Sequence, residues 1–222
     1  MALPPALATA DCERLGEGLL AQPVNGLSSL AFLVAAIWIL ARRRRGAPDL
    51  VMFAAAVGSN SVGGVLLHGL QTPFARWIHD VAIVSVLAFV AVTEISRLRG
   101  RAFPWSLYWG SLGALGAVIV VPAAVYPVYA LLGVAIGAAA LAVFRREWSG
   151  GLSPLGPFKL AAVVALVLAA GAFFVGRTGG PLCRPESAFQ WHAVWHVLAA
   201  ATMALYARGA FDRFARIERL SD

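Results

Sequence analysis

Seven apolar runs, each close to the length that crosses a bilayer, constrain this chain more than any other feature. They cover roughly residues 25–41, 50–71, 77–96, 104–121, 124–144, 158–176 and 187–207. A helix rising about 1.5 Å per residue needs about 20 apolar residues to cross a hydrocarbon core of ~30 Å. In lipid there is no water to bond exposed backbone groups, so a spanning segment must be a helix or part of a closed barrel. Barrel strands alternate polar and apolar residues, and these unbroken runs do not. Composition agrees: the 222 residues are 60% hydrophobic and 13% charged, too little polar surface for a soluble domain of this size. The expected fold is an all-α integral membrane protein, a single seven-transmembrane helix bundle over residues 1–222. Turn formers separate the runs at Gly46-Ala47-Pro48, Gln71-Thr72-Pro73, Gly150-Gly151 and Gly179-Gly180-Pro181, each suited to a tight loop. Only the Pro122 region divides the fourth run from the fifth.

The net charge of +7 does not read as nucleic-acid binding, because the cations sit in short blocks between apolar runs. Fourteen of the 18 basic residues follow odd-numbered runs: Arg42–Arg45, then Arg97, Arg99 and Arg101, then Arg145, Arg146 and Lys159, then Arg208, Arg213, Arg216 and Arg219. The other side holds Arg14, Arg76, Arg177 and Arg184. Cytoplasmic loops collect Lys and Arg, so this bias places the N-terminus outside and the C-terminus in the cytoplasm. Only an odd number of spans permits that alternation. Residues 1–24 become an outer segment and 208–222 a cytoplasmic tail. The tail's Phe211, Phe214 and Ile217 suit a helix lying on the membrane surface. No basic region precedes the first apolar stretch, which argues against a cleaved signal peptide.

Both cysteines, Cys12 and Cys183, fall on the outer side in this topology. They form either a disulfide tying the N-terminal segment to the last outer loop or two unrelated thiols. Ionisable groups at membrane depth are costly and need partners. Four stand out: His68 near the outer end of the second run, Asp80 at the outer start of the third, and His192 and His196 near the outer start of the seventh. They come from three helices and share one outer layer. His192 and His196, at i and i+4, share a helix face, and neutral imidazoles suit Zn2+. His68 would complete a three-histidine site with an open fourth position, where the metal acidifies water and polarises a carbonyl. Asp80 would orient that water, take its proton, or hold a ligand histidine. Ser61, two turns before His68, is a candidate hydroxyl for a substrate oxyanion. His79 is expected to point elsewhere on its helix, and Trp77, Trp191 and Trp195 to belong to the interfacial aromatic belt.

Three blocks carry a resemblance to a known family: "CERLGEGLLAQPVNGLSSLAF" from Cys12 to Phe32, "GSNSVGGVLLHGLQTPFARWIHD" ending at Asp80, and "GGPLCRPESAFQWHAVWHVLAA" with the histidine pair. In that order the chain resembles a bacterial member of the alkaline ceramidase family, within the CREST superfamily of seven-helix membrane hydrolases. The resemblance implies that His68, His192 and His196 bind catalytic zinc beside Asp80. It also implies a Cys12–Cys183 bridge and hydrolysis of a membrane-lipid amide by metal-activated water. The setting it implies is a bacterial inner membrane, with the site near the periplasmic side. Gly64 stands where the family has a serine one turn before the histidine, leaving Ser61 as the candidate substitute. The family's calcium cluster is matched at Glu13 and Asn25, but Gln22 replaces an acid, and no calcium is expected. The alternative reading is non-catalytic: a metal-binding membrane sensor, receptor-like protein or transporter. A bis-histidine haem fits poorly, because an i,i+4 pair cannot clamp one.

Overall fold

A computed structural model describes residues 11–42, 48–149 and 157–221. Arg43–Arg45, Gly46-Ala47, Gly150-Gly151 and the side chains of Phe211, Phe214 and Ile217 lie outside the described residues. Among the described residues every regular element is helical: α1 (Pro23–Ser28), α2 (Leu30–Ala41), α3 (Pro48–Leu70), α4 (Pro73–Arg99), α5 (Trp105–Val118), a 3-10 turn (Pro122–Ala124), α6 (Val125–Ser149), α7 (Pro157–Val175) and α8 (Trp191–Ser221). Proline opens α1, α3, α4 and α7, where its fixed φ suits a helix and its missing N–H costs nothing.

Among the described residues, five stretches are long and apolar enough to cross a membrane: Pro23–Ala41, Pro48–Leu70, Pro73–Arg99, Pro122–Ser149 and Pro157–Val175. The chain therefore has the makings of a helical membrane protein. Helix α5 has only 14 residues, about 21 Å of rise. Helix α8 runs unbroken from Trp191 through the tail.

The helices fall into two compact units, residues 1–79 with 157–222, and residues 80–156. In the first, α7 and α8 pack along their lengths, and α8 also meets α1, α2 and α3. Ala162, Ala165, Ala169 and Ala172 line the buried face of α7, and Ala199, Ala200, Ala207 and Ala210 are buried on α8. Small residues let helix backbones approach where lipid offers no hydrophobic drive for association. At one end of this pair the Arg208 guanidinium lies 3.9 Å over the Phe158 ring. At the other, a Cβ on Gly176 would stand 3.1 Å from the His192 backbone nitrogen. The two helices are thus antiparallel, with Lys159 and Arg208 at one end and the histidines at the other.

In the second unit, Phe89 stacks on Phe103 at 4.7 Å and meets the edge of Tyr108 at 5.4 Å. Helix α4 ends at Gly100 in the left-handed conformation, φ +62°, which glycine adopts without penalty. Arg146 donates to the carbonyl oxygens of Arg97 (3.0 Å) and Leu98 (2.9 Å), satisfying acceptors that the helix end leaves open.

Candidate metal centre

Each ring of the centre is placed by its helix. His68 occupies the last turn of α3, where 0% of it is exposed, and His192 and His196 open α8, also buried. The ring centroids lie 5.3 Å (His68–His192), 5.3 Å (His68–His196) and 4.6 Å (His192–His196) apart. One ligand nitrogen from each falls within 4.8 Å of the others. Imidazole nitrogens gathered this closely are of the kind that hold a zinc ion. The three histidines singled out in the sequence therefore do meet. His79, expected to point away, brings its ring to 6.4 Å from that of His68.

Hydrogen bonds fix how two of these rings face. The Gln22 amide nitrogen donates to the Glu13 carbonyl oxygen at 2.8 Å. Its Oε1 therefore faces His68 Nδ1 at 2.8 Å and also accepts from Gln71 Nε2 at 3.1 Å. An amide oxygen can only accept, so His68 Nδ1 carries the hydrogen and Nε2 keeps its lone pair. That Nε2 is buried without a hydrogen-bond partner, which is costly for a polar atom unless something binds it. At His196, the Ser28 hydroxyl donates to the Asn25 carbonyl oxygen at 2.9 Å and so must accept from His196 Nδ1, 2.8 Å away. Ser29 repeats the pattern, donating to Asn25 at 2.9 Å and standing 3.4 Å from the same Nδ1. His196 therefore also presents Nε2. His192 Nδ1 lies 3.6 Å from the Asp11 carboxylate. Burial pushes the Asp11 carboxyl up, but His192, His68, His79 and Arg177 together hold it below its usual range. Three clustered imidazoles, two of them carrying hydrogen on Nδ1 and one with its Nε2 buried and unpartnered, suit a divalent ion of zinc type, and the residues fit the group.

The remaining expected residues are placed as follows. Cys12 and Cys183 form a disulfide, with Cα atoms 5.5 Å apart. Asp80 is buried in the second unit, where it accepts a hydrogen bond from the Tyr129 hydroxyl at 2.8 Å. Ser61 is buried in α3, seven residues and about 10 Å of helix rise from His68. Among the described residues, the hydroxyls bonded to the imidazoles come from Ser28 and Ser29. A Cβ on Gly64 would collide with Ser29 Oγ and stand 2.7 Å from its Cβ. Glu13, matched to the calcium cluster, spends both carboxylate oxygens on the N–H groups of Val24 and Asn25 at the start of α1, each at 2.8 Å.

Asp11, Ser28 and Gln71 were not singled out in the sequence, and Gln22 was noted only as the residue that stands in place of an acid. The available signal was Asp11's position next to Cys12: a bridge to Cys183 carries its neighbours toward the loop before His192. Ser28 gives no comparable sign, because hydroxyls are common at any helix end, and nothing about Gln22 pointed to an imidazole partner. Comparison of the chain with known families, curated proteins and solved structures found no match.

Proposed function

We propose that this chain is a zinc-dependent intramembrane hydrolase, ceramidase-like, that cleaves an amide bond of a membrane lipid. The observation that carries the reading is the buried His68, His192, His196 triad, whose ligand nitrogens converge within 4.8 Å. Zinc bound there would act as a Lewis acid on the amide carbonyl and lower the pKa of a water toward ~7. The chain's own residues do the rest. Gln22 and Ser28 fix the Nδ1–H tautomer of His68 and His196 and so turn Nε2 inward. The buried triad limits bulk water and strengthens each electrostatic contact with a developing oxyanion. Asp80, on its resemblance to the family's carboxylate, is the proton acceptor. The substrate enters from the bilayer, with the N-terminus outside, seven crossings and the site near the outer face.

The test is metal content followed by turnover. Purified chain should carry about one zinc, lost in His192→Ala. It should release fatty acid from N-acyl lipids, and Asp80→Ala should abolish that release while zinc stays bound. If zinc binds stoichiometrically and no lipid amide or ester is cleaved, the enzyme reading fails and the sensor, receptor-like or transporter reading takes its place.

A further inference from the structure

Two of the triad's Nδ1 atoms are hydrogen-bonded from one short stretch of chain, and the third, buried without a hydrogen-bond partner, lies near a carboxylate of the same stretch. Asp11 faces His192 at 3.6 Å, Gln22 faces His68 at 2.8 Å, and Ser28 faces His196 at 2.8 Å. The histidines themselves come from two helices far apart in sequence, so a common partner segment does not follow from helix packing alone.

The stretch is built to hold still. Its Ala21 and Gln22 N–H groups donate to the Gly69 and His68 carbonyl oxygens at 3.2 and 2.8 Å, pairing it with the end of α3. Gly26 lets it lie against the ring's root, where a Cβ would stand 3.7 Å from His68 Cβ. Cys12 is bonded to Cys183, its N–H donates to Thr178 Oγ1 at 3.1 Å, and the Arg14 N–H donates to the Pro185 carbonyl oxygen at 3.1 Å. Among the described residues, only two non-glycine positions have positive φ, Cys12 (61°) and Gln71 (51°). One fastens this stretch and the other braces Gln22. Such conformations persist where surrounding structure imposes them, commonly at functional sites.

We infer that residues 11–28 are the positioning segment of the metal centre: Gln22 and Ser28 hold the Nδ1 side of His68 and His196, so that both present Nε2 to one ion, and the Asp11 carboxylate stands on the Nδ1 side of His192. This rests on the reading that the triad binds a metal. The outer partners of metal-bound histidines fix ring orientation and tautomer, and their loss commonly weakens binding 10–100-fold. Gln22 is the strongest of the three, because its amide is locked by Glu13 on one side and Gln71 on the other. Asp11, beyond hydrogen-bond length, is the weakest.

The experiment uses the full chain in detergent with its disulfide intact. Zinc affinity is measured by competition with a chelator, and the visible spectrum of the Co2+ form reports ligand geometry. Gln22→Leu is expected to bind zinc 10–100-fold more weakly and to alter the cobalt bands. Gln22→Glu, which keeps an acceptor at the same place, should restore both to near wild-type. Ser28→Ala should weaken binding as well, and Asp11→Asn by less. Rescue by glutamate separates positioning from mere packing, and Asp11→Asn preserves shape if the leucine variant does not fold. Wild-type affinity and cobalt spectrum in all four variants would overturn the inference and leave the metal site standing. A wild-type chain that takes up neither metal would overturn both.

Discussion

At the level of single residues, Gly64 and Ser29 form one unit. The space beside Gly64 is taken by Ser29, so the junction of α1 and α2, rather than α3, brings the hydroxyl toward the His196 imidazole. Gly64→Ala should therefore be destabilising by about 1–3 kcal/mol through overpacking. Ser29→Gly in the same chain removes the atoms it strikes and should recover much of the loss. A double-mutant cycle on detergent melts checks this: additive effects would mean that the two residues do not share the space. The histidines were legible in the sequence because ionisable groups are rare in apolar runs. Ser29 was not, because a serine beside a helix start is unremarkable until a neighbouring backbone is seen to lack a side chain.

Among the helices, close approach is the governing constraint. Gly63 brings α3 against the start of α4, and a Cβ there would stand 2.8 Å from the His79 Cα. Backbone cannot yield as a side-chain tip does, so Gly63→Val should separate the helices and displace His79 from the triad. A melting temperature lowered by several degrees, with weaker zinc retention, is the expected result. An unchanged melt would show that α3 and α4 do not approach so closely. Helix positions were largely legible, since each of the seven apolar runs is occupied by helix. The length of each was less so. The fourth run shrinks to the 14 residues of α5, because backbone past Val118 turns at Ile119–Val121 before Pro122 rather than continuing. The last run instead continues into the tail, where polar residues spaced for a surface helix do not break it.

For the whole molecule, topology and the disulfide make the predictions. With the cytoplasmic C-terminus proposed from the cationic bias, a green fluorescent protein fused after Asp222 should fluoresce, and an export-dependent reporter there should stay inactive. The reverse result would invert the topology. The Cys12–Cys183 bridge closes a loop with a separation of 171 residues. It also holds Asp11 and Gln22 at the triad. Cys12→Ser should lower the melting temperature and weaken zinc binding together. Loss of thermal stability with unaltered zinc affinity would mean that the bridge serves the fold alone.

Sequence by itself determined the helical membrane class, the runs that become helices, the three imidazoles and the two cysteines. Each follows from local chemistry: apolar length against bilayer thickness, and the cost of polar groups in lipid. Tertiary structure alone decided which nitrogen of His68 and His196 faces inward, that Ser29 fills the space above Gly64, and that one N-terminal stretch meets all three rings. Those facts depend on hydrogen bonds between residues far apart in the chain, whose donors and acceptors carry no mark of their partners until the backbone brings them within 3 Å or so of each other.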